Sequence, residues 1–246
     1  MSERRVSSGP EVARDDAVDV AAAGRGSASV QIVDLGVGNL GNLQRAVAVC
    51  GWRAAITTDP GAVQSARAVL LPGVGAFRPP REALRGELER ALRQALADGA
   101  WLLGICVGFQ LLYEGSEEFG DCDGLALLRG TVRRLPESVP LPHIGWNALR
   151  AQDWSHPLLA GVAPGAHAYF VHSFAADAAT DEEIVATCLH GREFPAIAGR
   201  GRVFGTQFHP EKSGEAVGLR VLTNFLRLAG ADDAHAGRER AEVTSR

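Results

Sequence analysis

Lysine is almost missing from this chain: of its 25 basic residues all are arginine except Lys212. Where a bare positive charge suffices arginine serves, so the one surviving lysine marks a position where a compact ammonium is useful. Cysteine is also sparse, and Cys50, Cys106, Cys122 and Cys188 lie far apart with no C-x-x-C pair and no short Cys/His cluster. That excludes the common zinc-module spacings, predicts no metal, and points to a reduced, cytoplasmic setting. No run of 18 apolar residues exists, so no membrane span is expected. A net charge of −4 and a pI near 6 supply no basic field, which argues against nucleic-acid and anionic-membrane partners. Asparagine is scarce, and Asn39, Asn42 and Asn147 all fall in the informative segments described below.

What is present is ordinary for a folded domain: 246 residues, 46% hydrophobic and 22% charged. Residues 1–29 and 231–246 are polar and small, and are expected to be disordered tails around a folded region of 30–230. Within it, apolar β-type runs alternate with helical patterns. Val30 to Leu35 reads as a buried strand, followed by a loop and a helix through about Cys50. Ala68 to Leu71 reads as a strand ended by Pro72, and Trp101 to Ile105 as another. Between them, Leu84, Leu88, Leu92 and Leu96 line one face of a helix expected over Glu82 to Ala97. The second half is richer in strands (Tyr169 to His172, Ile184 to Cys188, Arg202 to Phe208) and closes with a helix over about Ala216 to Leu228. Strand, helix, strand order requires crossovers and hence parallel pairing, so the fold class is α/β, an open mostly parallel sheet with helices on both faces.

Three segments carry chemistry. Gly104-Ile105-Cys106-Val107-Gly108 sits between a buried strand and an apolar helix expected over Phe109 to Tyr113. A nucleophile on a sharp strand-to-helix turn needs small neighbours because the turn is strained and crowded, and a helix N-terminus favours thiolate. Phe208-His209-Pro210-Glu211 follows a strand; in extended chain residues 209 and 211 face one side, so Glu211 would hold the imidazole of a base. Pro72-Gly73-Val74-Gly75 closes a predicted parallel strand, and one of its amides together with that of Val107 would form an oxyanion hole. A rival signal is Gly36-x-Gly38-x-x-Gly41 after the first strand, with Asp59 where a ribose-binding acid would stand. A dinucleotide site would leave Cys106, His209 and Glu211 without a role, and no cofactor is expected.

These residues resemble the class I (triad) glutamine amidotransferases over nearly all of 30–230. Gly104 to Gln110 and Phe208 to Glu211 are similar to the family's nucleophile and base motifs. Asp34 to Leu40, Pro142 to Asn147, Tyr169 to Ser173 and Lys212-Ser213 resemble more narrowly those members that supply ammonia for histidine biosynthesis. The resemblance implies Cys106 as nucleophile, His209 as base then acid, Glu211 as its orienter, and Gly75 and Val107 at the oxyanion hole. It implies Gln110, Glu118 and the backbone near Ser173 as holders of glutamine. The partner implied is a cyclase subunit of (β/α)₈ barrel fold in a heterodimer; Lys212, the one lysine and next to Glu211, and Trp146, a broad apolar anchor, are expected at the interface. Val107, Phe109, Leu35 and Phe174 depart from the usual residues without removing a reactive group. The same chemistry serving an anthranilate or pyridoxal phosphate synthase, a noncatalytic module of the same fold, and a peptide-cleaving cysteine hydrolase remain alternatives.

Overall fold

The structure is a computed structural model that describes residues 30–178 and 180–230; the expectations for the two tails fall outside them. Thirteen strands are formed among the described residues. The central sheet runs through β1 (Val30–Val33), β2 (Ala54–Thr57), β3 (Ala68–Gly73), β4 (Trp101–Cys106), β11 (Ile184–His190), β12 (Arg192–Arg200) and β13 (Val203–Thr206). Their order is β11-β12-β13-β4-β3-β1-β2, parallel from β13 to β2 and antiparallel at the β11-β12-β13 edge. The two inner strands, β3 and β4, are buried at every residue, which is why they read as continuous apolar runs instead of alternating ones.

Alternation survives in which face each side chain serves. Leu70, Leu103 and Ile105 pack with Leu43 and Val47 of α1 (Leu40–Val49) and with Val221, Leu222 and Phe225 of the closing helix, α6, which is α-helical over 220–230. Val69, Leu71 and Leu102 pack on the other face with Val63 of α2 (Pro60–Gln64), Leu84 of α3 (Arg78–Leu84) and Leu88 and Leu92 of α4 (Glu87–Ala97). Helices therefore cover both faces, and each fully buried leucine contributes about 1.5–3 kcal/mol.

Several boundaries differ from the sequence reading. β3 does not stop at Pro72 but continues to Gly73, opposite Cys106 of β4. The helix expected over Glu82 to Ala97 is two, because Arg85 and Gly86 interrupt it with Gly86 at φ +84°; their leucines still share a face because both helices lie on the same side of the sheet. The segment after Cys106 is a single helical turn, α5 (Val107–Gln110), and not Phe109 to Tyr113. The strand expected over Arg202 to Phe208 is confined to Val203–Thr206. The closing helix opens earlier, with a π-helical segment Gly214–Leu219. Asp59 caps α2 by accepting from the amides of Gly61 and Ala62, and Asn39 caps α1 through Asn42. The supposed ribose acid thus has a structural use.

Smaller sheets flank the carboxyl edge of the central one. β5 (Gly115–Ser116), β6 (Cys122–Asp123), β7 (Gly130–Arg134) and β10 (Phe174–Ala178) form one in the order β10-β7-β5-β6. β8 (His143–Ala148) and β9 (His167–His172) form an antiparallel pair, with His143 opposite His172 and Trp146 opposite Tyr169.

Candidate active site

Cys106 ends β4 with φ +54° and ψ −112°. A side chain in the left-handed half of φ space costs about 1–3 kcal/mol and persists only where its surroundings enforce it. Here they do. A Cβ on Gly104 would stand 2.6 Å from the Gly108 carbonyl oxygen, one on Gly73 2.9 Å from the Gly108 amide, and one on Gly108 would overlap the Leu71 carbonyl. The backbone of the turn is pressed against β3, and glycine at these positions is what lets Cys106 swing back toward the sheet edge. Because α5 is one turn long, its contribution to the sulfur is the free amides of that turn and little of a macrodipole.

His209 and Glu211 come from the other side of the same edge, after β13. His209 Nδ1 lies 2.9 Å from Glu211 Oε1. The pairing does not arise from extended chain, as the spacing suggested: Pro210–Lys212 is a 3₁₀ turn, and it is the turn that swings Glu211 back beneath the ring. Ser213 Oγ donates to the His209 carbonyl at 2.7 Å and accepts from the Tyr169 amide at 2.9 Å, which fixes the turn to β9. His209 Nε2 and Glu211 Oε2 are buried and, among the described residues, accept or donate no hydrogen bond. Burial disfavours the charged ring, but Cys106 and Glu211 outweigh it and push the His209 pKa from 6.5 up to about 10. The carboxylate fixes which ring nitrogen carries a proton and leaves the other facing the sulfur.

The remaining sequence candidates are distributed around this centre. Val107 is buried directly after Cys106 and Gly75 follows the end of β3 with φ +82°. Glu118 Oε2 accepts the Phe77 amide at 2.8 Å, so it also ties down the loop that contains Gly75, and burial raises its carboxyl pKa. Gln110, at 2% exposure, is a wall residue whose Nε2 donates to the Phe174 carbonyl at 2.8 Å and to Gln207 Oε1 at 3.1 Å. The Ser173 carbonyl accepts the Leu135 amide. Trp146 is 56% exposed with its ring 6.0 Å from that of Tyr169, and the exposed Lys212 places Nζ 6.0 Å from the same Tyr169 ring. Trp146 and Lys212, 66 residues apart by number, therefore share one patch.

Sequence reasoning missed Gln207, which is fully buried and brings Nε2 to 3.9 Å from Cys106 Sγ. A polar residue closing an apolar strand run was the available signal. A cavity of about 320 Å³ lined by Arg150, Asp177, Arg192 and Glu193, among others, contains none of the site residues. Among the described residues no group of three or more His, Cys, Asp or Glu side chains could hold a metal ion, and no helix is long and apolar enough to cross a membrane.

A mostly parallel sheet carrying a cysteine on a strained turn, with a carboxylate-held histidine across the same edge, is an arrangement that suits a cysteine amidohydrolase of triad type. The chain belongs to the class I glutamine amidotransferase family, whose model matches residues 31–229. It is 46% identical over 82% of its length, and 94% of the relative's, to the imidazole glycerol phosphate synthase subunit HisH of Symbiobacterium thermophilum. To the protein of the same name from Geobacillus kaustophilus it is 44% identical, covering 81% of this chain and 97% of that one. Solved structures share the fold at lower identity. One described as a glutamine amidotransferase has TM-score 0.65 at 20% identity, covering 82% of this chain and 98% of that one. PurLQS from Thermotoga maritima has the same score and identity over 82% and 99%.

Proposed function

We propose that this protein is the glutaminase subunit of an imidazole glycerol phosphate synthase, releasing ammonia from glutamine for a cyclase subunit in histidine biosynthesis. The observation that carries the catalytic part is the juxtaposition of Cys106, at φ +54°, with the His209–Glu211 pair closed at 2.9 Å. The destination of the ammonia rests on the high identity to relatives of that name across most of both chains.

In this reading the Cys106 sulfur attacks the side-chain amide carbon of glutamine. A histidine that holds its proton up to about pH 10 stabilises the thiolate and then donates to the departing nitrogen. The carbonyl oxygen, negative in the tetrahedral intermediate, is received by the Val107 amide and an amide of the loop containing Gly75; the φ of +82° at Gly75 permits the peptide to turn there. Ammonia leaves, and a γ-glutamyl thioester remains on Cys106. Water, deprotonated by His209, attacks the thioester carbonyl; the C–S bond breaks, glutamate leaves with its new carboxyl proton lost to solvent, and the thiolate is restored beside protonated His209. Glu211 keeps the ring in one orientation and balances its charge. Glu118 faces the α-ammonium of glutamine, and Gln110 and the backbone at Ser173 shape the wall on its far side.

The cyclase is of (β/α)₈ barrel fold and forms a heterodimer through the patch of Trp146 and Lys212, an aromatic anchor beside a cation. All four cysteines are free, which suits a reducing, cytoplasmic setting. Glutamate release is measured with the chain alone and with the cyclase and its ligand. Stimulated hydrolysis on co-purification with the cyclase is the expected result; hydrolysis stimulated by a different synthase would reassign the pathway, and none in either condition would remove the glutaminase reading.

A further inference from the structure

The β8-β9 pair holds a buried polar chain that the reaction above does not use. His143 and His172 are directly opposed across the pair and are 5% and 7% exposed. His172 Nδ1 lies 2.9 Å from the Phe174 carbonyl oxygen, and His172 Nε2 lies 3.3 Å from His143 Nδ1. His143 Nε2 lies 3.2 Å from Asn147 Nδ2, which also donates to the Leu189 carbonyl at 3.0 Å.

These contacts admit one assignment of protons. A carbonyl only accepts, so His172 Nδ1 donates and its Nε2, in a neutral ring, accepts. His143 Nδ1 must then donate, and its Nε2 must accept from Asn147. Every link is satisfied with both rings neutral and all donors pointing the same way, from Asn147 toward Phe174. Burial, first of all, holds both rings neutral, helped at His143 by His190 and at His172 by His143, His190 and His209 against the opposing bond to the Phe174 carbonyl; the pKa values fall to about 4 and about 3. The packing is aromatic on all sides: His190 stacks on His143 at 4.0 Å, and Phe170 and Phe194 close over both rings.

The far end of the chain reaches the nucleophile. The carbonyl that accepts from His172 also accepts from Gln110, whose amide bonds Gln207, whose own amide approaches Cys106 Sγ to 3.9 Å. The near end lies on the strand that exposes Ile144 and Trp146.

We propose that Asn147, His143 and His172 are positioning residues that hold the Phe174 carbonyl in place and, through Gln110 and Gln207, set the orientation of the Cys106 sulfur. The proposal rests on the glutaminase reading for its kinetic consequence, but not for its chemical one. His172→Phe keeps a ring of similar size and removes the donor to Phe174, while stranding the Nδ1 proton of His143. His143→Phe/His172→Phe removes both partners of that bond, a change that restores stability when a hydrogen bond is merely structural.

The test compares wild type with the two variants by thermal unfolding, by steady-state glutamine hydrolysis with the cyclase present, and by the rate at which iodoacetamide alkylates Cys106. The expected result is that the double variant regains the unfolding midpoint lost in His172→Phe. Its kcat should nevertheless stay about tenfold down with KM for glutamine within twofold, and alkylation of Cys106 should slow in both variants. Recovery of kcat and alkylation together with stability would make the pair a packing device and overturn the proposal. So would unchanged alkylation with a raised KM, which would place His172 on the substrate and not on the sulfur. Absence of glutamine hydrolysis in wild type would remove the glutaminase reading alone, since alkylation needs no glutamine and still decides the role of the chain.

Discussion

Gly108 lies against Leu71 so closely that a Cβ on the glycine would occupy the space of the leucine carbonyl oxygen. The contact joins α5 to β3 and forces the turn that carries Cys106 to fold back over its neighbouring strand. Gly108→Ala cannot be relieved by a side-chain rotation, because a Cβ is fixed by its own backbone and the group it meets is backbone. We expect a loss of about 3 kcal/mol or more, seen as a lower denaturation midpoint, with turnover falling in parallel. Gly75→Ala is the control: a Cβ there meets nothing within 4 Å, so only the cost of φ +82° applies, about 1–2 kcal/mol. Equal destabilisation by the two would show that the packing at Gly108 is softer than its geometry implies.

Cys106→Ala is expected to abolish glutamine hydrolysis while leaving the fold and cyclase binding intact. The complex should still turn over with free ammonia. An electrophilic glutamine analogue should label Cys106 and spare Cys122 and Cys188; burial pushes the Cys188 thiol up to about 12. Peptide mapping after labelling decides the point.

The raised pKa of His209 makes a pH-dependent contribution to stability. Because the folded value of about 10 lies above the ordinary 6.5, the contribution is fully present below pH 6.5 and is lost as pH rises through 10. Glu211→Gln removes one of the groups that hold the charge, so the difference in unfolding midpoint between wild type and variant should be largest near pH 6 and shrink toward pH 10. Turnover of Glu211→Gln should fall less than that of His209→Ala, since an amide still orients the ring but does not balance its charge.

His172 has the opposite sign. Its folded pKa, about 3, lies below 6.5, so stability is constant above pH 6.5 and declines as pH falls toward 3. At pH 5 the cost is about 2 kcal/mol for this group. Comparing wild type with His143→Phe/His172→Phe, the wild type should lose more stability between pH 7 and pH 5; parallel losses would place the acid sensitivity elsewhere.

Lys212→Ala should weaken partner-stimulated hydrolysis by about tenfold, an interaction of about 1.4 kcal/mol, and change basal hydrolysis much less. Among the described residues Lys212 has no ion-pair partner, and its ammonium stands over the Tyr169 ring at an exposed surface. Equal loss in both rates would move Lys212 into the catalytic centre.

The sequence by itself determined the parts of this protein that local chemistry dictates. The apolar runs of β3 and β4, the glycines around Cys106 and the His209-x-Glu211 spacing were legible because each reflects a demand met within a few residues: burial on both faces, room at a sharp turn, reach of a carboxylate. Helix breaks were less legible, since the leucine spacing from Leu84 to Leu96 continues across Gly86 and the two helices keep the same face on the sheet. Tertiary structure alone decided which distant groups meet. Gln207 touches Cys106 because β13 lies beside β4, and His143 meets His172 because β8 and β9 pair in that register. A shift of one residue would have turned one of the two rings to the opposite face, and no chain toward Phe174 could form. Such choices are set by the summed packing of strands far apart in sequence, a quantity no local pattern records.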